Sequence, residues 1–131
     1  MSKVVETVTD VNGVNRIANS TFIKGDISSK SDIRVDGIVE GTIYSDVKVV
    51  VGETAVIRGN IVCTNIDLWG RMEGNVYVKD LLTIKSTACV EGNVNVRRFQ
   101  VEVGASVNGS FHMIQESDFE ECVKTIVKNP A

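Results

Sequence analysis

"VEGNV" at residues 90–94, "MEGNV" at 72–76 and "IRGNI" at 57–61 are one word written three times: apolar, charged, Gly, Asn, apolar. Loosened to apolar-x-Gly-x-apolar, the word also occurs at Ile23–Ile27, Val39–Ile43 and Val107–Phe111. Its central glycines are 25, 41, 59, 74, 92 and 109, so the gaps are 16, 18, 15, 18 and 17. A unit of about 17 residues is too short for a helix pair, which takes more than about 30. Inside each unit the apolar residues alternate. Ile33, Val35, Val39 and Ile43 share one parity, and Arg34, Asp36, Glu40 and Thr42 hold the other. Period two is the signature of a strand. Short parallel strands broken by small residues, one coil per unit, make a β-solenoid. Glycine supplies the bends, because it tolerates dihedrals that other residues do not. Coils stacked at about 4.8 Å would build a rod of roughly 25–30 Å from six units.

Stacking turns equivalent positions into columns. After the central glycine come Asp26, Thr42, Asn60, Asn75, Asn93 and Ser110, all small and polar. Asparagines stacked in this way bond to one another along a stack of strands. Before the glycine come Lys24, Glu40, Arg58, Glu73, Glu91 and Asn108. The first four alternate in sign, which favours stacking by a few tenths of a kcal/mol per exposed pair. Glu73 above Glu91 is a like pair that the pattern does not explain. The inward columns are Val, Ile, Leu, Met and finally Phe. Aromatics are only 5% of the chain, so aliphatic residues have to fill the core. The single proline is Pro130, so nothing breaks the ladders before it.

Composition narrows the function classes. Net charge is −3 with the signs mixed, and the densest basic spot, Arg97-Arg98, is too small to recognise nucleic acid. No run of 18 apolar residues exists to cross a membrane. The opening "MSKVVETVTD" has no apolar stretch of the secretory kind. Three widely spaced cysteines, Cys63, Cys89 and Cys122, fit a reducing cytoplasm better than a disulfide scaffold. His112 is the only histidine and falls on the outward parity, away from any acid–base partner. No Cys-x-x-Cys, His-x-x-x-His or Walker loop is present, so we expect no catalytic residue, no metal and no cofactor. Asn19-Ser20-Thr21 matches the glycosylation sequon, which carries no meaning in the cytoplasm. Trp69, at an outward bend, is either packed over its neighbours or an anchor for a partner.

The ends of such a rod expose unpaired backbone groups, and monomeric solenoids cap them with polar units. The first coil here has Ile17, Phe22, Ile23 and Ile27, and the last has Val103, Val107, Phe111 and Met113. Neither set reads as a polar plug. Phe111 stands where every other coil has Ile or Val. These eight residues are the expected polymerisation interface. Residues 117–128, "SDFEECVKTIVK", read as a helix: Ser117 and Glu120 form a capping box, and Phe119, Cys122, Val123 and Ile126 make one apolar stripe. The expected organisation is a flexible tail at 1–16, a β-helix domain at 17–114 and a C-terminal tail with the short helix at 115–131.

The run "NRIANSTFIKGDISSKSDIRVDGIVEGTI", with "GETAVIRGNI", "LLTIKSTACVEGNV" and "VEVGASVNGSF", resembles the bactofilin family over roughly residues 15–114. The resemblance implies an all-β fold, a right-handed parallel β-helix of about six windings. It implies a bacterial cytoskeletal protein that polymerises with itself, end to end, into non-polar filaments without nucleotide. Such filaments scaffold cell-shape and cell-wall machinery under the inner membrane, with cell-wall or membrane-associated proteins as further partners. Some members carry a hydrophobic membrane-targeting peptide at the extreme N-terminus. Met1–Asp10 offers only Val4, Val5 and Val8, which argues against direct membrane binding. The expected place is the cytoplasm, peripheral to the inner membrane. Two other classes compete. A left-handed β-helix acyltransferase needs a strict six-residue repeat and a catalytic histidine; the scattered gaps and lone outward His112 fit neither. A binding module using the rod's flank for protein or glycan partners is compatible with the repeat.

Overall fold

Residues 14–115 and 119–120 are described in the computed structural model. Ten strands follow one another: β1 (Val14–Ile17), β2 (Phe22–Lys24), β3 (Ile27–Ser29), β4 (Asp32–Val35), β5 (Ile38–Ser45), β6 (Lys48–Val51), β7 (Val56–Leu68), β8 (Arg71–Ile84), β9 (Cys89–Val101) and β10 (Ser106–Met113). All pairings are parallel, and each joins a residue to its equivalent one coil later. The fold is therefore a β-solenoid of about six windings, as the repeat requires. The expected flexible tail at 1–16 lies outside the described residues as far as residue 13, and the first strand opens at Val14 and pairs with β4.

Each coil carries three strand segments. Face A runs through β1, β4, β6 and the C-terminal parts of β7, β8 and β9. Face B takes β2, the beginnings of β5, β7, β8 and β9, and then β10 up to the glycine. Face C takes β3 and the segments after the glycine. Strand residues, glycine and the residue after it are constant from coil to coil. The variation in period comes from two connections. The corner from C to A has two residues at 30–31, 46–47 and 79–80, but one at Thr64 and at Arg97. The link from A to B is a four-residue turn at 52–55, 85–88 and 102–105, but a two-residue bend at 36–37 and 69–70. The scattered gaps are thus corner choices, with the three faces kept in register.

The glycine column sits between faces B and C. Gly41, Gly59, Gly74, Gly92 and Gly109 have φ between +134° and +151°. A Cβ built on any of them would lie 1.8–2.0 Å from the carbonyl oxygen of the glycine one coil earlier. Two constraints coincide there: a dihedral reserved for glycine, and a backbone approach that leaves no room for a methyl group.

Inside the coils the side chains form continuous aliphatic columns. Ile33, Val49, Ile66 and Leu82 stack on face A, Val39, Ile57 and Met72 on face B, and Ile43, Ile61, Val76 and Val94 on face C, all with 0% exposure. Burying a side chain of this size contributes about 1.5–3 kcal/mol. One inward column is not wholly apolar: Ser29, Ser45, Cys63, Val78, Val96 and Met113. Ser45 is buried and satisfied, since its hydroxyl donates to Ser31 O at 2.8 Å and accepts from the Val47 N–H at 3.1 Å. Burial pushes the Cys63 thiol far up from its ordinary pKa.

Most of the expected helix over 117–128 lies outside the described residues. Phe119 and Glu120 are helical, and the Phe119 N–H donates to Gln115 O at 3.0 Å. Among the described residues no helix is long and apolar enough to cross a membrane.

Candidate assembly interface

A solenoid core ends in two layers, and here they differ. The last inward layer consists of Phe99 and Val101 on face A, Val107 on face B, and Phe111 and Met113 on face C. Every one of them is apolar. Their equivalents one coil earlier, Leu82, Ile84, Val90, Val94 and Val96, are at most 1% exposed. With no further coil above among the described residues, Phe99 rises to 41%, Val101 to 43% and Met113 to 67%. Phe111 is half-buried, and its ring meets Phe99 with centroids 4.8 Å apart and planes tilted by 57°. A tilted pair at that distance is a favourable aromatic geometry. The two rings span the end of the core from face C to face A and widen its apolar area.

The first layer is Asn15 and Ile17 on face A, Ile23 on face B, and Ile27 and Ser29 on face C. Ile17, Ile23 and Ile27 pack on the core from one side and remain half-buried. The two polar members are bonded to each other: the Asn15 amide donates to Ser29 Oγ at 2.7 Å, and also lies 3.3 Å from Asp32 O. Hence the N-terminal layer is mixed, whereas the C-terminal layer is wholly apolar.

Six of the eight residues expected from the sequence fall in these layers: Ile17, Ile23, Ile27, Val107, Phe111 and Met113. Two are placed elsewhere. Phe22 pairs with Ile38 and points outward, 57% exposed, in a flank column continued by Val56. Val103 is in the turn at 102–105 and is 97% exposed. Phe99 and Val101 were not expected there. The signal was nevertheless available, since they hold the parity and phase of Leu82 and Ile84 one coil on.

The flank columns form as the spacing suggested. Asn75 Nδ2 donates to Asn60 Oδ1 at 3.1 Å, and Asn93 Nδ2 to Asn75 Oδ1 at 3.3 Å. Arg58 bridges Glu40 at 3.2 Å and Glu73 at 3.3 Å. The like pair Glu73 over Glu91 is resolved by Arg71, from the neighbouring column, which pairs with both and reaches Glu91 at 3.2 Å. The hydrogen bond from Arg71, with the charge of Arg58 beside it, holds the Glu73 carboxyl below the usual carboxylate range. On face C the Tyr44 hydroxyl donates to Asp46, which pushes its pKa up. His112 is exposed. Trp69 is half-buried at the bend between faces A and B, with the Lys85 ammonium 5.1 Å from its ring centroid. On its other side is a shallow groove lined by Arg34, Asp36, Gly52, Glu53 and Thr54.

The family model described as bactofilin, polymer-forming cytoskeletal, matches residues 15–112. The chain belongs to the bactofilin family. The match covers all three faces of the solenoid, from β1 to the penultimate residue of β10. No curated protein and no solved structure matches the chain. A polymer-forming cytoskeletal family is a structural one, and self-association is the property that this bactofilin shares with it. For a solenoid, end layers are the surfaces where another copy can continue the stack.

Proposed function

We propose that this bactofilin is a self-polymerising scaffold, that its solenoids join end to end without nucleotide, and that the filaments organise cell-shape or cell-wall machinery. The observation that carries the proposal is the terminal layer of Phe99, Val101, Val107, Phe111 and Met113, apolar throughout and with no further coil on it among the described residues. Exposed apolar surface of this kind drives association, and the unpaired edge of the last coil supplies a row of backbone donors and acceptors beside it. A second copy stacked there satisfies both. The N-terminal layer offers a smaller apolar area and its own polar pair, so it suits a second, weaker junction. Two different junctions, one at each end, are enough for an open filament. No bound nucleotide enters this scheme, because the joined surface is aliphatic and aromatic and carries no phosphate cradle. We place the filaments in the cytoplasm, peripheral to the inner membrane through partner proteins.

The test is electron microscopy of the purified full chain in nucleotide-free buffer, beside a Phe111→Arg variant. The scaffold reading expects filaments from the first and short or no filaments from the second, because a guanidinium would be buried in the junction without a counter-charge. Lasting monomers of the unaltered chain would instead favour a flank-binding module, for which the Trp69 groove is the strongest feature.

A further inference from the structure

The edge between faces A and B is notched. Its connections run four residues at 18–21, two at 36–37, four at 52–55, two at 69–70 and four at 85–88. A two-residue bend between two longer turns leaves a recess, which the side chain at the bend can fill. Asp36 stands at the first recess and Trp69 at the second. Asp36 is held three ways. Arg34 grips its carboxylate at 3.0 and 3.3 Å, and Thr54 Oγ1 donates to its carbonyl oxygen at 2.7 Å. A Cβ on Gly52 would lie 2.0 Å from Asp36 Oδ1, so the carboxylate rests against bare backbone. Trp69 is tied by its own backbone: its N–H donates to Val51 O at 2.8 Å, and its carbonyl accepts from Thr87 Oγ1 at 2.7 Å. The groove between them, lined also by Glu53, measures about 390 Å³. That is near the small end of ligand sites, about 300–1,000 Å³, and suits one side chain and its stem. Walls fixed in this way cost little to order on binding.

The charges around the groove leave one carboxylate over. Arg34 and Asp36 neutralise each other, as do Lys85 and Glu102 at 3.5 Å. Glu53 is exposed and has no partner among the described residues. The Trp69 ring already receives the Lys85 ammonium, 5.1 Å from its centroid. A cation is thus a fit for this indole, and tryptophan is the best of the aromatic partners for one. Because Glu102 offsets Lys85, a second cation entering from the groove meets an electron-rich ring and an unopposed carboxylate together.

We propose that the groove beside Trp69 is a docking site for a partner protein, and that it receives one Lys or Arg side chain between the indole and Glu53. The site does not depend on the end-docking reading. It belongs to the second, third and fourth coils, so it stays open on the flank whether or not the end layers are joined. Where they are joined, each subunit repeats it along the filament, and a weak single contact gains by avidity.

Trp69 is the only tryptophan, so the indole emission of the full chain reports this groove alone. Titration with a blocked Gly-Gly-Arg-Gly-Gly peptide should change that emission saturably, and the same peptide with Glu in place of Arg should not. Glu53→Gln should weaken the arginine peptide about fivefold. Asp26→Asn removes the same charge at the glycine edge and should leave the affinity unchanged. No saturable change with the arginine peptide, or equal affinity in Glu53→Gln and the unaltered chain, would overturn the proposal. So would a saturable response to a neutral N-acetylglucosamine oligomer with none to the arginine peptide, which would reassign the groove to a sugar. Sedimentation of the same samples reads end docking separately, and its result does not alter these outcomes.

Discussion

Gly74→Ala is predicted to cost far more than Gly25→Ala, although the two glycines have nearly the same dihedral. Their φ values are +134° and +137°. Placing alanine in that region costs about 1–3 kcal/mol in strain, and stiffening the unfolded chain returns about 0.4–1 kcal/mol. Gly25 belongs to the first coil, and a Cβ there meets nothing within 4 Å. Gly25→Ala should therefore cost about 1–2 kcal/mol, the dihedral alone. At Gly74 the same Cβ would stand 1.9 Å from Gly59 O and 2.9 Å from Gly59 C. An acceptable carbon–oxygen contact is about 3.3 Å or more, so the third and fourth coils must separate locally by more than an ångström. Two or three ladder hydrogen bonds beside the glycine would lengthen, at about 1 kcal/mol each. The total for Gly74→Ala is then about 3–5 kcal/mol, a large share of a typical domain's stability of about 5–15 kcal/mol. Guanidinium unfolding of both variants, at concentrations where the midpoint does not change with dilution, measures the difference. Equal losses at the two positions would refute the reasoning, since the stacking contribution exists only at Gly74.

Acid should weaken the flank through Glu73. Its folded pKa is lowered chiefly by the hydrogen bond from Arg71, so its contribution is present above the unfolded carboxylate range, about pH 4.3, and is lost as pH falls through the lower folded value. The stability gap between the unaltered chain and Glu73→Gln should hold from pH 7 to pH 5 and close on further acidification; a gap that widens in acid would contradict the ion-pair assignment. Thiol labelling should distinguish the cysteines of the solenoid: Cys89 is half-buried and Cys63 is fully buried with its thiol pKa raised. Mass spectrometry of the native protein should find Cys89 modified well before Cys63, and equal rates would mean that the core opens on the labelling timescale. Asn75→Ala removes the middle of the amide ladder and leaves Asn60 Oδ1 without its donor. It should cost about 1–2 kcal/mol in the same unfolding assay, and a neutral outcome would show that the ladder is decorative.

The winding was legible because glycine and alternation act locally. A positive φ that only glycine adopts recurs once per coil, and the parity on either side assigns each side chain to core or flank. Phe22 was misplaced in the expectation although parity alone puts it outside: Ile23 is the inward residue of that short strand, and its neighbour must face away. Size and apolarity drew Phe22 into the layer; geometry removes it. Phe99 and Val101 were missed for a different reason. Coils counted from their glycines assign the last layer to the unit around Gly109, from Val103 to Met113, but a solenoid's end cuts across the chain, and its face A portion comes from the coil before. The scatter of the gaps was visible, but its origin in one- or two-residue corners and two- or four-residue turns was not, because corner length does not alter the strand pattern. Arg71 beneath the like pair Glu73 and Glu91 was likewise hidden: it reaches diagonally from an adjacent column, and columns read one at a time do not show such contacts.

End-to-end stacking fixes the direction in which the strands of a filament repeat, and X-ray fibre diffraction of aligned filaments reads that direction. If coils of successive subunits continue one stack, the strand-spacing reflection at about 4.8 Å lies along the filament axis. A reflection at that spacing lying across the axis, with the solenoids side by side, would contradict the junction of the terminal layers.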